Sequence, residues 1–388
     1  MQIPISKTIL NDKDLEEVSK TISSGWLVQG PKVNEFETLF ANFVGSKNAI
    51  AVTSCTSAMH LSLLALGLEK DDEIIVPAFT WISTANVVEH IGAKVVFCDI
   101  DLDTFNISIK ELESKITEKT KSIIPVHLFG LACNINKISS IAKSRGIHLI
   151  EDAACGFGSY LNGQHVGSFG DTGCFSFHPR KSITTGEGGM VTTDSDELAE
   201  KIKCLRDHGA TISDLQRHEG PKPYTLADHI EAGFNQRMTD IQAALGLSQL
   251  KRGQSILSER ANIAKEYIEG LKSVNWLKLP SYSSNFTHGF QSFPCIYKYD
   301  QIDINSVETI HKERNIFMDY LFKKGISTRP ATHAVHMLSF YKDKYNLESN
   351  SYFNSYAAAN CSISLPLFNG MQKIEIDYII STVKDFQI

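Results

Sequence analysis

From about residue 48 the chain alternates short β-rich runs with helical stretches, and this alternation restricts the fold more than any other feature. The β-rich runs are largely apolar, which is typical of strands buried on both faces. The pattern predicts a mostly parallel, right-handed wound α/β sheet with helices on both faces. We predict strands at residues 49–53, 73–76, 94–99, 122–126, 148–151, 174–177 and 190–193, and helices at 57–66, 81–90, 135–145 and 197–206.

The length of 388 residues allows a second, smaller domain beside this sheet. One long or bent helix is predicted over residues 239–271, where it would bridge the two domains. We therefore expect a large ligand-binding domain over residues 1–251 and a smaller α/β domain over residues 252–388. The smaller domain is predicted to contain a strand at 291–298 and helices at 304–324 and 373–386.

Composition and short patterns argue against several classes of protein. A formal net charge of −6 without a long basic cluster argues against nucleic-acid binding. No apolar run reaches membrane-spanning length, and the N-terminal residues lack the pattern of a signal peptide. The eight cysteines form no Cys-x-x-Cys pair, which suits reduced thiols in a cytoplasm. The histidines show no zinc-binding spacing, so we expect no metal, and no dinucleotide, P-loop or Gly-x-Ser-x-Gly pattern is present.

Lys181 is the residue on which the predicted chemistry depends. It follows the strand predicted at 174–177, comes two residues after Pro179, and precedes a loop of small residues. An ammonium held near apolar groups has a lowered pKa, so the neutral amine becomes available as a nucleophile. Lys181 is therefore a candidate for Schiff-base chemistry with a carbonyl cofactor. Taken alone, a solvated surface lysine remains the more common alternative.

Other polar residues collect where predicted strands end, which is where α/β sheets bind ligands. Ser54, Cys55 and Thr56 lie where a strand passes into a helix, and a helix N-terminus suits a phosphate. The alternative for Ser54 is an ordinary helix cap. Trp81 also follows a strand and could stack on a planar ring, the alternative being core packing.

Asp152 ends a very apolar strand, where a carboxylate is costly unless it meets a cation. It could pair with a protonated ring nitrogen, or it could cap the next helix. Ser176 lies on the strand before Lys181 and could supply another phosphate ligand. Lysine, aspartate, aromatic and phosphate cradle together indicate pyridoxal 5'-phosphate, for which the protein supplies binding and orientation.

The order of these motifs closely resembles the DegT/DnrJ/EryC1/StrS family of sugar aminotransferases, within fold type I of the pyridoxal-phosphate enzymes. The resemblance spans nearly the whole chain and rests on many independent motifs. The matching stretches are residues 25–31 with 36–37, then 54–61, 77–86, 125–130, 151–159, 175–189, 205–209 and 233–240.

By this resemblance Lys181 would carry the cofactor as a Schiff base and act as acid and base in the proton shift. Asp152 would face the ring nitrogen and Trp81 would stack on the ring. Ser176 and Thr56, with the backbone amide of Cys55 beside Ser54, would hold the phosphate.

The resemblance also implies a homodimer with shared active sites, in which Asn235 reaches the phosphate of the neighbouring subunit's cofactor. Arg329 and His333 would border the sugar site. Two departures are Cys55, where the family usually has glycine, and Cys155, where a polar residue usually contacts the ring oxygen. A thiol is a weaker donor, so Cys155 is expected to shift the basicity of the Schiff base without removing activity.

The resulting hypothesis is a cytoplasmic aminotransferase that moves an amino group from glutamate onto a nucleotide-linked keto-sugar. Residues 183–189 resemble members that aminate C4, so a 4-keto-6-deoxy sugar is expected. Arg329 is predicted to meet the diphosphate, with Lys323 and Lys324 as weaker candidates, and the alternative for Arg329 is a solvated surface arginine. The alternatives are a 3-keto-sugar aminotransferase, a lyase or desulfurase of the same fold type, and a non-catalytic sensor that binds the cofactor.

Overall fold

The computed structural model describes residues 1–220, 224 and 226–387. Apart from short 3-10 turns, the described helices are α1 (Asp12–Ser24), α2 (Pro31–Val44), α3 (Cys55–Ala65), α4 (Ser83–His90), α5 (Ile109–Lys115), α6 (Ile135–Arg145), α7 (Asp196–Arg206), α8 (Asp214–Glu219), α9 (Asp240–Leu250), α10 (Gly253–Leu271), α11 (Val307–Lys323), α12 (Ser339–Tyr345), α13 (Phe353–Cys361) and α14 (Lys373–Lys384). The described strands are β1 (Asn48–Val52), β2 (Glu73–Pro77), β3 (Phe79–Thr80), β4 (Lys94–Cys98), β5 (Thr120–Ile123), β6 (His148–Asp152), β7 (Tyr160–Leu161), β8 (Gln164–His165), β9 (Thr172–Ser176), β10 (Gly189–Thr193), β11 (Leu277–Lys278), β12 (Phe286–Thr287), β13 (Phe293–Tyr297), β14 (His333–Ala334) and β15 (Ser362–Leu365).

The central sheet has seven strands in the order β1-β10-β9-β6-β5-β2-β4. These are the seven strands predicted from the sequence, each with its ends within three residues of the predicted ones. Strand β10 runs antiparallel to both of its neighbours, and the other neighbouring pairs are parallel. The predicted α/β fold with a mostly parallel sheet is therefore confirmed.

Helices cover both faces of the sheet because successive residues of its strands point to opposite sides. On β9, Phe175 packs into the apolar cluster that includes residues of α2, α6 and α9. Its neighbour Cys174 packs into the cluster that includes residues of α3, α4 and α7. Strand β1 divides in the same way, with Ala51 in the first cluster and Ile50 in the second. Both faces are therefore dry, as the apolar runs predicted.

A third apolar cluster of large side chains surrounds a smaller antiparallel sheet in the order β11-β13-β15. Phe293 of β13, Tyr267 of α10 and Phe317 of α11 lie at its centre, each fully buried. Strand β13 and helices α11 and α14 correspond to the elements predicted for the C-terminal part. The division into residues 1–251 and 252–388 stays a prediction.

The single long or bent helix predicted over residues 239–271 consists of two helices, α9 and α10. The break falls at Arg252, whose φ of −112° and ψ of 15° are not helical, directly before Gly253. Its guanidinium forms an ion pair with the buried Asp14 of α1 (Nη2 to Oδ2, 2.5 Å). The break thus follows from a tertiary contact that the local pattern does not contain.

The first residues of the chain run along the segment that follows α11. The backbone N–H of Ile3 donates to the carbonyl of Gly325 (2.8 Å), and that of Ser327 donates to the carbonyl of Ile3 (2.9 Å). Farther along, the Thr8 hydroxyl donates to the carbonyl of Pro179, in the loop that leads to Lys181 (3.1 Å). The N-terminal segment therefore connects the segment after α11 with the loop that leads to Lys181. No helix of the described residues is long and apolar enough to cross a membrane.

Candidate active site

The predicted site residues meet at one edge of the central sheet. Ser54 follows β1, Trp81 follows β2 and β3, Asp152 ends β6 and Ser176 ends β9. These strands run in one direction, so their carboxyl ends lie together, as the sequence predicted. Lys181 lies in the loop after β9, at the same edge.

A hydrogen-bonded loop holds Lys181 in place. Its backbone N–H donates to the carbonyl of His178 (2.8 Å), and the Thr184 hydroxyl donates to the carbonyl of Phe177 (2.7 Å). The Lys181 side chain is half-buried, and its Nζ lies 3.2 Å from the Sγ of Cys155. The alternative of a freely solvated surface lysine is therefore wrong. Cys155 is next to the amine, at the position where the resemblance expects a cofactor contact.

Asp152 is buried and accepts two hydrogen bonds from oxygen and nitrogen donors, and the Sγ of Cys55 also donates to its Oδ1 at 3.9 Å. The Thr84 hydroxyl donates to Oδ2 (2.8 Å), and the N–H of Ala154 donates to Oδ1 (3.1 Å). Burial raises the pKa of this carboxyl, while the two hydrogen bonds and the charge of Lys181 act in the opposite direction. A turn follows Asp152, so the alternative of a helix cap is wrong. Within the described residues no basic side chain bonds to this carboxylate, so it can take a cation.

The neighbouring Glu151 fixes the end of β6. Its carboxylate accepts hydrogen bonds from the N–H groups of Gly167 (2.8 Å), Phe169 (2.7 Å) and Gly170 (2.8 Å), and bonds the Nε2 of His127 (2.9 Å). Burial alone would raise the pKa of Glu151, but His127 and these amides lower it. Glu151 thus anchors the strand that presents Asp152. The sequence signal for this role was its position beside Asp152 at the end of an apolar strand.

The start of α3 presents free N–H groups to which an anion could bind. Ser54 caps the helix, since its Oγ accepts from the N–H of Ser57 (3.0 Å), so the helix-cap alternative is correct for this side chain. The first intrahelical hydrogen bond runs from Ala58 to the carbonyl of Ser54 (2.9 Å), so the N–H groups of Cys55 and Thr56 lack helical partners. Such N–H groups bind anions. Thr56 and Ser176 are both partly exposed.

Backbone packs tightly against this helix start. A Cβ on Gly189, the first residue of β10, would lie 2.4 Å from the carbonyl carbon of Ser54 and 2.6 Å from the N of Cys55. Cys55 itself has no positive φ and adopts the helical conformation, as expected for a position without glycine. Its buried Sγ lies 3.3 Å from the carbonyl oxygen of Cys174, and burial raises the pKa of the thiol. Cys55 therefore contributes packing and an N–H group, not a thiolate.

Trp81 is exposed to 59% and contacts His333 edge-on, with the ring centroids 5.5 Å apart. The contact arises because β14 pairs with β3, so that His333 lies opposite Thr80. The alternative of core packing for Trp81 is therefore wrong. The pairing of β14 with β3 thus brings His333 to the border of the same open face.

Arg329 is half-buried, and its carbonyl accepts from the N–H of Ser364 (2.8 Å). Burial lowers the pKa of its guanidinium, the nearby charge of Arg180 lowers it further, and Cys155 opposes this. Arg329 also lines the same small cavity as Arg180. Lys323 and Lys324 are exposed at the end of α11.

Asn235 is exposed and forms an antiparallel bridge with Asp207. Asp207 in turn forms an ion pair with Arg237. Within the described ranges Asn235 makes no hydrogen bond to the residues around Lys181. This position fits a residue that acts on another subunit's site.

A separate cleft of about 590 Å³ lies between α2, α7 and α8, and none of the predicted site residues lines it. Its central charges are paired, since Arg206 Nη1 bonds Glu37 Oε1 at 2.6 Å. Nothing in its lining resembles a nucleophile with a partner base, so we assign no chemistry to it. The described residues also contain no group of three or more His, Cys, Asp or Glu that could hold a metal ion.

The donor set at the sheet edge fits pyridoxal phosphate. Free N–H groups at the start of α3 suit its phosphate, and the buried Asp152 suits a protonated pyridine nitrogen. Lys181 supplies the amine for its aldehyde, and the exposed Trp81 supplies an aromatic surface beside the site.

Comparisons with known proteins agree with this chemistry. The model of the DegT/DnrJ/EryC1/StrS aminotransferase family matches residues 8–384. The spore coat polysaccharide biosynthesis protein SpsC of Bacillus subtilis (strain 168) is 35% identical over 384 residues, covering 99% of this chain and 96% of SpsC.

Solved structures show the same fold. Spr1654 from Streptococcus pneumoniae, known in its PMP and PLP forms, superposes with a TM-score of 0.90 at 30% identity over 99% of this chain and 98% of its own. Helicobacter pylori PseC, an aminotransferase involved in the biosynthesis of pseudoaminic acid, superposes with a TM-score of 0.89 at 26% identity over 99% and 98%. The predicted fold type I architecture is thereby confirmed. The chain belongs to the DegT/DnrJ/EryC1/StrS aminotransferase family and is a pyridoxal-phosphate-dependent sugar aminotransferase.

Proposed function

We propose that this enzyme transfers the amino group of glutamate to C4 of a nucleotide-linked 4-keto-6-deoxy sugar, as a step of polysaccharide biosynthesis. The observation that carries the chemistry is the half-buried Lys181 amine at a sheet edge where Asp152 is buried and Trp81 and His333 border an open face. The similarity to SpsC, named for spore coat polysaccharide biosynthesis, supports the pathway class. The resemblance of residues 183–189 to members that aminate C4 supports the regiochemistry.

Bound pyridoxal phosphate supplies an electron sink for the carbon that loses or gains the amino group. Lys181 holds the cofactor covalently in the resting enzyme and, once released, carries the proton at the reacting carbon through its Nζ. Cys155 lies against that amine, at the position where the resemblance expects a polar contact to the ring oxygen.

Asp152 holds a proton on the ring nitrogen. Its buried carboxylate has a raised pKa until a cation is present, so a pyridinium is the partner that its environment favours. The Thr84 hydroxyl orients the carboxylate through its bond to Oδ2. Trp81 covers the ring, and His333 borders the sugar.

The phosphate would be held by the N–H groups of Cys55 and Thr56 at the start of α3, which Ser54 caps, and by Ser176 at the end of β9. Asn235 completes this site from a second subunit, so the working unit is a homodimer. The eight free cysteines favour a reducing cytoplasm as the location of the reaction.

The substrate is tested with a panel of nucleotide-linked 4-keto and 3-keto sugars beside the free keto-sugars, each with glutamate as donor. The 4-keto-6-deoxy nucleotide sugar should give the highest kcat/KM. Preference for a 3-keto sugar would overturn the regiochemistry, and equal use of sugars without the nucleotide would overturn the substrate class.

The role of Lys181 is tested with borohydride reduction of the purified yellow protein. The cofactor should be recovered on the peptide that contains Lys181, and Lys181→Ala should retain no covalent label. Recovery of the label on another lysine would disprove the assignment.

A further inference from the structure

A small cavity beside the active site brings two arginines together. It lies where the N-terminal segment and the loop before Lys181 meet the residues around β13 and β15. Its polar lining consists of Ser6, Arg180, Gln291, Ser292, Arg329 and Ser364. Each of the three parts of the fold contributes to this lining. The cavity is therefore a feature of the folded chain and not of one exposed loop.

The two guanidinium groups have no anionic partner. The Nε of Arg329 is buried without a hydrogen-bond acceptor, and no carboxylate in the described ranges forms an ion pair with Arg180 or Arg329. Their contacts are through the backbone, since the carbonyl of Arg180 accepts from Gln291 Nε2 (2.9 Å). Two like charges that share a cavity repel each other, and the buried donor costs free energy until an acceptor binds. An anion relieves both costs.

A chain of hydrogen bonds through Gln291 holds the backbone of Arg180. The buried Arg260 donates to the carbonyl of Phe290 (Nε, 2.8 Å) and to that of Gln291 (Nη2, 2.7 Å). Gln291 is further bonded by the Ser292 hydroxyl at its Oε1 (3.0 Å). This chain of bonds holds the amide that contacts Arg180, so the cavity wall is ordered before any ligand arrives.

The position of the cavity next to Lys181, which carries the reacting amine, limits which anion can bind. Arg180 directly precedes Lys181 in the chain, and Arg329 lines the same cavity as Arg180. In an amino acid the carboxylate is bonded to the carbon that carries the amino group. In a nucleotide-linked 4-keto sugar the diphosphate is attached across the sugar ring from C4. The cavity of the two arginines adjoins Lys181 through Arg180, which suits the amino acid.

We propose that Arg180 and Arg329 form the site that binds a carboxylate of the amino-acid donor, in place of the diphosphate predicted for Arg329 from the sequence. Planar guanidinium groups match a carboxylate in bidentate geometry, and two of them can grip it from two sides. The assignment rests on the proposed aminotransferase reaction with glutamate as donor.

The donor half-reaction tests this assignment without any sugar. Holoenzyme is mixed with glutamate, and the change in the cofactor's absorption is followed for wild type, Arg180→Gln, Arg329→Gln and the double variant. The half-saturating glutamate concentration should rise about ten- to a hundredfold for each single variant, which corresponds to one lost charge-assisted hydrogen-bonded contact. Arg145→Gln, an exposed arginine at the end of α6, is the matched control and should behave as wild type.

Alanine as donor separates the two carboxylates of glutamate. If the arginines bind the α-carboxylate, the variants lose affinity for both donors; if they bind the side-chain carboxylate, they lose affinity for glutamate alone. The reverse half-reaction, with the pyridoxamine form and the keto-sugar, should keep its sugar requirement. A raised sugar requirement with an unchanged glutamate requirement would overturn the proposal in favour of the diphosphate.

An equilibrium measurement gives a readout independent of turnover. Glutarate has no amino group and cannot react, and its binding to holoenzyme and to cofactor-free protein is measured by titration calorimetry. Binding should be weakened in the double variant and partly retained in Arg180→Lys and Arg329→Lys. Unchanged glutarate binding in a folded double variant would disprove the site. If wild type shows no spectral change with glutamate but binds glutarate, the donor identity fails while the carboxylate site stands.

Discussion

The amine of Lys181 and the thiol of Cys155 are in contact, with Nζ 3.2 Å from Sγ. The sequence identified Cys155 as a departure from the family at a position that contacts the cofactor. The structure adds that this thiol is only partly buried and lies next to the amine that carries the cofactor. Cys155 is therefore a reporter of what occupies the site.

Alkylation should distinguish Cys155 from the other cysteines. Cys155 and Cys204 are partly exposed, while Cys55, Cys98, Cys133, Cys174, Cys295 and Cys361 are buried. Iodoacetamide should therefore label Cys155 and Cys204 first in the cofactor-free protein, since accessible thiols react faster. Added pyridoxal phosphate should protect Cys155 alone, as read by peptide mass spectrometry. Cys204 serves as the internal control, and equal protection of both would contradict the placement of Cys155 at the site.

The ionised Asp152 carboxylate should lower the stability of the cofactor-free protein, although the reaction requires it. Burial raises its pKa in the folded chain above the ordinary value of about 3.9. The penalty for the buried charge is absent below that ordinary value, grows as pH rises toward the folded pKa, and is complete above it. Asp152→Asn should therefore raise the Tm of cofactor-free protein at pH 7 and have no such effect at the acidic end.

The same Asp152→Asn variant should lose about two to four orders of magnitude in kcat, because the ring nitrogen loses its charged partner. Calorimetry across pH and steady-state kinetics measure the two effects. The exposed Asp319→Asn should change neither. Near-normal turnover in Asp152→Asn would mean that the carboxylate has only a structural role.

Features that depend on residues close together in the sequence were predicted, and contacts between residues far apart in the sequence were not. Seven apolar runs identified the seven sheet strands, because burial on both faces is recorded locally in each run. Their ends located Ser54, Asp152 and Lys181 at one edge, since the geometry of a parallel sheet requires it. Short strands such as β3 and β14 carry no usable pattern, so the contact between Trp81 and His333 was missed.

Contacts between distant positions were also beyond prediction. Thr84 donates to a carboxylate 68 positions away, and Arg180 lines one cavity with the distant Arg329. The break at Arg252 depends on Asp14 of α1. A single sequence records none of these pairings, because each residue type alone is compatible with many partners.

Asn235 should act on the neighbouring subunit. In one chain it is exposed and bridged to Asp207, without a hydrogen bond to the described residues around Lys181. Asn235→Asp would place a negative charge beside the partner's phosphate and should inactivate the dimer. Mixing it with inactive Lys181→Ala should restore part of the activity, since a hybrid dimer contains one site with neither change. No rescue after proven subunit exchange would contradict a role in the partner's site.

Gly189 should be required for cofactor affinity more than for folding. A Cβ there would lie 2.4 Å from the carbonyl carbon of Ser54 and 2.6 Å from the N of Cys55, so Gly189→Ala must displace the start of α3. That displacement moves the N–H groups that face the phosphate, and the Kd for pyridoxal phosphate should rise about tenfold or more, as for loss of one charged hydrogen bond.

Gly163→Ala is the matched comparison. Gly163 has a φ of +81° with open space around its Cβ position, in the turn between β7 and β8. Its substitution should lower Tm through backbone strain and leave the cofactor Kd unchanged. Fluorescence titration of cofactor-free protein measures Kd, and calorimetry measures Tm. Because both variants lose stability, only a selective rise in Kd for Gly189→Ala identifies the helix start as the phosphate site; equal Kd values for the two variants would refute it.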